Sequence, residues 1–110
     1  MAFLRGEIYW INFAKRDPRG SEIEKTRPCL ILSLSAANEH RSTVVVVPLT
    51  TSPLSAPPIA IAVPSAGEKS VAVCDQVTAV DKRRIKGKKG ALSVKDLRAV
   101  EESVRLILGL

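Results

Sequence analysis

Arg27, Thr50 and Glu22 are the residues of this chain whose types and spacing suit work on a phosphate. Arg27 lies in Gly20-Ser21-Glu22-Ile23-Glu24-Lys25-Thr26-Arg27-Pro28, directly ahead of an apolar run, residues 29–32. Proline pushes the residue before it into extended backbone, so Pro28 fixes Arg27 on its C-terminal side. A guanidinium held this way presents a planar, charged fork that matches phosphate geometry. Thr50, with Thr51 and Ser52 after it, stands where a run of valines gives out into a loop. If these two segments pair as strands, Arg27 and Thr50 become neighbours. An arginine and a hydroxyl converging on a phosphodiester would stabilise the charge that builds in its transition state. RNA supplies its own nucleophile, the 2′-hydroxyl, so such a site needs neither metal nor histidine. A plainer reading also fits: Arg27 as a surface arginine beside a turn, and Thr50 and Thr51 as ordinary strand-end hydroxyls.

Other catalytic kits are poorly represented. His40 is the one histidine, which rules out a two-histidine acid–base ribonuclease within one chain. Two separated cysteines and one histidine do not make a zinc site. The acidic residues are scattered and show no pairing of the kind that holds two metals. No Gly-rich phosphate loop followed by lysine occurs, and no nucleophile–base pair stands out. The expectation is a site with no metal and no cofactor.

The elements that must position these residues are mostly strands. Residues 7–13, with Tyr9, Trp10 and Phe13, suit a strand. Residues 14–25 read as a long polar loop, 29–33 as a second strand and 36–41 as about one helical turn. Residues 43–49 hold four consecutive valines, the pattern of a strand buried on both faces. A loop at 51–58 leads to strands at 59–63 and 70–77, parted by a turn at 64–69, and to a short strand at 80–85. The period then changes. Ser93 is a good N-cap, with Asp96 three residues on in the capping-box position. Leu97, Val100, Val104, Ile107 and Leu108 share one helical face, and the helix ends near Gly109. Short strands followed by one amphipathic helix imply a mainly β (α+β) fold: one domain over residues 1–110, a small bent sheet or barrel capped by the helix.

Charge is concentrated. The net charge is +6, from 17 basic and 11 acidic residues, and six of the bases (Lys82, Arg83, Arg84, Lys86, Lys88, Lys89) fall within eight positions. The other eleven bases balance the acids. Such a patch attracts polyanions by counterion release, although Gly87 and Gly90 equally suit a solvated hairpin turn. Cys29 and Cys74 lie in apolar runs and read as reduced, buried thiols, which fits a cytoplasmic protein. The N-terminus is too short and too soon charged for a signal peptide, and no apolar run is long enough to span a membrane.

Four stretches carry a family resemblance: Arg5-Gly-Glu-Ile-Tyr-Trp10, Gly20 to Pro28 as above, Val47-Pro-Leu-Thr-Thr-Ser52 and Cys74-Asp-Gln-Val77. In this order, and with the C-terminal helix, the chain resembles the MazF/PemK family of bacterial toxins, the endoribonuclease halves of toxin–antitoxin pairs. The resemblance implies an SH3-like barrel of about five to seven strands that works as a homodimer. It implies cleavage of single-stranded RNA at a short sequence by 2′-hydroxyl attack, leaving a cyclic phosphate and a 5′-hydroxyl. By its motifs Arg27 serves acid–base transfer and phosphate stabilisation, Thr50 is the hydroxyl partner, and Glu22 is a catalytic base or a loop anchor. Ser21, Lys25, Thr51, Ser52, Asp75 and Gln76 fall on the RNA-facing segments, and Lys82, Arg83 and Arg84 are expected to touch the RNA backbone. The same groove would receive the acidic C-terminal tail of an antitoxin. The sequence departs from some members at Val73, where they carry arginine before the Cys-Asp-Gln triplet, which leaves Asp75 open between a structural and a functional role. His40 has no counterpart and receives no role. Two other readings use the same fold or charge: a non-catalytic toxin that binds gyrase, and a nucleic-acid-binding barrel without activity.

Overall fold

The computed structural model describes residues 2–13, 15–16, 22–23, 26–51 and 56–110. Among the described residues, nine strands and two α-helices follow in order: β1 (Glu7–Asn12), β2 (Lys15–Arg16), β3 (Glu22–Ile23), β4 (Thr26–Ile31), α1 (Ser35–His40), β5 (Thr43–Thr50), β6 (Ala60–Ala62), β7 (Val71–Val73), β8 (Thr78–Asp81), β9 (Ile85–Ala91) and α2 (Val94–Leu108). Seven strands form one antiparallel sheet in the order β6-β7-β5-β4-β1-β9, with β8 also on β5. The path does not close on itself. β2 and β3 make a separate two-stranded ribbon inside the segment expected to be a long loop.

β5 is the hub, because its valines give it two apolar faces. Val47 and Leu49 join Ile8, Leu30, Val100 and Val104 in a core beneath α2. Val44 and Val46 join Tyr9, Ile11, Cys29 and Ile31 in a second core on the opposite face. Side chains alternate along a strand, so β1, β4 and β5 each feed both cores. Cys29 and Cys74 are free and lie in different cores. Burial pushes the Cys29 thiol up to about 12 and that of Cys74 to about 11, so both are unreactive packing groups at neutral pH.

α2 is held at both ends as its sequence indicates. The Ser93 hydroxyl accepts from the Asp96 amide at 3.2 Å. Asp96 does not complete the capping box. Its buried carboxylate accepts from the Ser65 amide at 2.8 Å and the Ser65 hydroxyl at 2.5 Å, and that hydroxyl accepts from the Ser93 amide at 3.0 Å. The helix start is thereby tied to the 3-10 turn Pro64–Ala66. Gly109 closes the helix at φ 73°, a left-handed conformation glycine adopts without a Cβ clash. Of the expected apolar face, Val100 and Val104 are buried, whereas Leu108 is exposed.

The largest departure from expectation is β9. Residues 80–85 are not one strand: β8 ends at Asp81, a 3-10 turn occupies Lys82–Arg84, and the remaining basic run is a seven-residue strand paired with β1. Two bulges interrupt that pairing, leaving Lys86 and Lys89 as the extra residues.

Candidate functional site

The Arg5-Gly6-Glu7 stretch builds the scaffold of the site. Gly6 sits at φ 93°, and its amide donates to the Ile31 carbonyl at 2.8 Å. A Cβ there would lie 3.2 Å from Leu97, so glycine lets β1 leave β4 right against α2. Arg5 donates to the Leu32 carbonyl at 2.9 Å and pairs with Glu101 of α2. Burial pushes the Glu7 carboxyl up, but hydrogen bonds from Lys88, the Leu4 amide and the Tyr9 hydroxyl outweigh it and hold the group below its ordinary 4.5. The ammonium of Lys88 stands 2.5 Å from that carboxylate and locks β9 onto β1.

β4 pairs with β5, and the register Cys29↔Pro48 continued by two residues sets Arg27 opposite Thr50. Both residues line one open pocket of about 270 Å³, together with Trp10, Pro28, Leu49, Thr51, Ser70 and Lys89. It lies where β4 begins and β5 stops. Pro28 stands across from Trp10 in the β1–β4 pairing, so the residue that fixes Arg27 also forms the apolar wall. Ser70 is buried at the pocket by a turn that needs glycine: Gly67 has φ 145°, and a Cβ on it would come within 2.9 Å of the Ser70 hydroxyl. Charge in the pocket comes from Arg27 and Lys89. The Lys89 ammonium lies 5.6 Å from the Trp10 ring centroid and donates to the Ala66 carbonyl at 3.2 Å.

Asp75, Gln76, Lys82, Arg83 and Arg84 do not line this pocket. Glu22 lies on β3 across from Arg16, with its side chain outside the description. Ser21, Lys25 and Ser52 lie outside the described residues. Asp75 and Gln76 are exposed on the 3-10 turn Cys74–Gln76, which packs against α2, and neither lines the pocket. Lys82 is drawn over the Phe3 ring at 5.9 Å and donates to the Asn38 carbonyl. Arg83 is bound to Asp81 at 3.1 Å, and Arg84 donates to the Asn12 carbonyl at 3.3 Å. The basic run is therefore a string of separate contacts, of which Lys89 reaches the pocket.

Trp10, from within β1, Ser70, just ahead of β7, and Lys89, from a bulge within β9, line the pocket without having been named as site residues, because three segments far apart in sequence deliver them. The signal for Trp10 was there: if β1 pairs with β4, its tryptophan meets the Arg-Pro step. For Lys89 the signal is weaker, since only a bulge aims it inward. Among the described residues, no group of three or more His, Cys, Asp or Glu side chains gathers as metal ligands would, and no helix is long and apolar enough to cross a membrane.

Among solved structures, the chain is similar to an endoribonuclease from a mycobacterial species in complex with its cognate antitoxin, at 25% identity, a TM-score of 0.83, and coverage of 99% of this chain and 97% of that one. It is also similar to MazF in the MazE–MazF complex of Deinococcus radiodurans (22% identity, TM-score 0.83, coverage 100% and 99%). The Mycobacterium tuberculosis toxin MazF-mt6 shares its fold at 23% identity and TM-score 0.72, over 94% of this chain and 97% of that one. Residues 4–108 match the family described as PemK-like, MazF-like toxins of type II toxin–antitoxin systems, and this chain belongs to that family.

Proposed function

We propose that the protein is an endoribonuclease toxin that cleaves single-stranded RNA at the Arg27–Thr50 pocket. The observation that carries the reading is the meeting of Arg27, Thr50 and Thr51 in one open pocket, in a chain of the MazF-like family. Similarity to an endoribonuclease bound to its antitoxin supports it further.

The chemistry follows from the side chains. The substrate's 2′-oxygen attacks the adjacent phosphorus, the P–O5′ bond breaks, and the products are a cyclic phosphate and a 5′-hydroxyl. Negative charge builds on the non-bridging oxygens as the new bond forms. Arg27 faces that charge with two N–H groups, and the Thr50 hydroxyl adds a third donor. The 2′-hydroxyl loses a proton and the leaving 5′-oxygen gains one; Arg27 serves this transfer, with Glu22 as the carboxylate base on the ribbon side. No metal or cofactor takes part. Thr51 and Lys89 extend the donor surface along the strand, and splayed bases are read in the groove.

The acidic tail of a cognate antitoxin would compete for the same cations. Working as a homodimer in the cytoplasm, the protein would cover apolar surface that the monomer shows, including Leu106 and Leu110 at the end of α2. The test is to incubate the protein with a mixed RNA pool in EDTA and map the new ends. Discrete cuts bearing cyclic phosphate and 5′-hydroxyl are expected. Intact RNA with a stalled gyrase, or salt-sensitive binding without cuts, would replace this reading with a non-catalytic one.

A further inference from the structure

We infer that Trp10 and Lys89 form a nucleotide subsite in which the indole stacks on one base of the RNA and Lys89 pairs with that nucleotide's phosphate. The inference rests on the RNA-cleaving reading of the same pocket. Three observations carry it. Trp10 is a large aromatic left 38% exposed, and it forms a wall of the pocket shared with Arg27 and Thr50. Lys89 is the extra residue of a β-bulge, and bulges re-aim side chains, so the distortion of β9 has a consequence at the pocket. Its ammonium lies 5.6 Å from the indole centroid, held by a cation–π contact and the Ala66 carbonyl at 3.2 Å.

An indole face stacks on any base, while a lysine beside it supplies the phosphate charge; this pairing is what single-stranded nucleic acid requires. In the free protein the ammonium occupies the stacking face. A base that slides onto Trp10 displaces it, and the freed ammonium turns outward to the phosphate of that nucleotide. Pro28 backs the arrangement from across the strand pair, so the stacked base and the Arg27 guanidinium are set at adjoining positions along the RNA. Trp10 and Lys89 are here binding and positioning groups. They make no bond to the reacting phosphorus.

Trp10 is the only tryptophan in the chain, so intrinsic fluorescence reports on this face directly. The probe is mixed-sequence 2′-O-methyl RNA, which lacks a free 2′-hydroxyl and cannot be cut, with binding followed by anisotropy. Quenching that saturates with the anisotropy signal is expected, and an abasic sugar–phosphate strand is expected to bind without quenching. Trp10→Ala is expected to weaken binding roughly 5- to 150-fold, and Trp10→Phe to restore most of it. Lys89→Gln is expected to lower the salt slope by about one while leaving the quench in place. Unchanged fluorescence at saturation, Trp10→Ala binding within twofold of wild type, or no binding at all would overturn the inference. Because the probe is uncleavable, its binding does not depend on whether Arg27→Ala still cleaves RNA. RNA cleaved at Arg27 with an unresponsive Trp10 would remove this subsite alone.

Discussion

In the proposed cleavage, Arg27 and Thr50 would divide the work at the phosphate unequally. Arginine brings charge and two donors, and threonine one neutral donor, so removing the hydroxyl costs less than removing the guanidinium. Thr50→Val keeps the shape of the strand end and is expected to slow cleavage by about 10- to 100-fold, measured by single-turnover kinetics, with KM little changed. A rate within twofold of wild type would leave Thr50 as a strand-end residue only. Glu7 has a different task. Its carboxyl is held below 4.5 by Lys88, the Leu4 amide and Tyr9, so it contributes stability above that pH and loses it as pH falls through the folded-state value. Glu7→Gln is expected to destabilise the protein at pH 7, and the gap to wild type is expected to narrow below about pH 4.5, followed by urea unfolding across pH. A constant gap would mean that Glu7 acts through shape alone.

The elements show which sequence signals carry and which fail. The valine run, the Arg-Pro step and the Ser93 cap were legible because each depends on a local rule: periodicity, proline sterics and N-cap chemistry. β9 was not legible. Its Lys86-Gly-Lys-Lys-Gly90 composition lacks the alternation and β-branching of a strand, and the strand exists through pairing with β1 and the Glu7–Lys88 contact. The Lys89 position depends on a bulge, which no local pattern announces. Asp96 was legible as a helix-start residue, but its bond to Ser65 joins segments far apart in sequence. This difference makes a prediction. Ser93→Ala removes one cap and is expected to cost about 1 kcal/mol. Asp96→Ala removes the buried carboxylate that accepts from the Ser65 amide and hydroxyl, and losing hydrogen bonds to a charged group is expected to cost more, about 1.5–3 kcal/mol. Equal losses in chemical denaturation would mean that the turn at Pro64–Ala66 is not anchored through Asp96.

At the scale of the whole molecule, two cores on either side of β5 give a rigid frame, and the pocket opens where its strands end. On the proposed function, the net charge of +6 would steer RNA toward the surface, and Arg27 and Lys89 would bring it into the pocket. Sedimentation at micromolar concentration is expected to give a dimer, because Leu106 and Leu108 at the end of α2 and Leu110 just beyond it are exposed; a monomer there would contradict the homodimer. The proposed cleavage depends above all on Arg27. The direct measurement is single-turnover cleavage of one RNA in EDTA by wild type and by Arg27→Ala, with circular dichroism on both to establish equal folding. Loss of one partly buried guanidinium facing the transition-state charge is expected to lower the rate at least about 100-fold. Cleavage by folded Arg27→Ala at the wild-type rate would contradict the account.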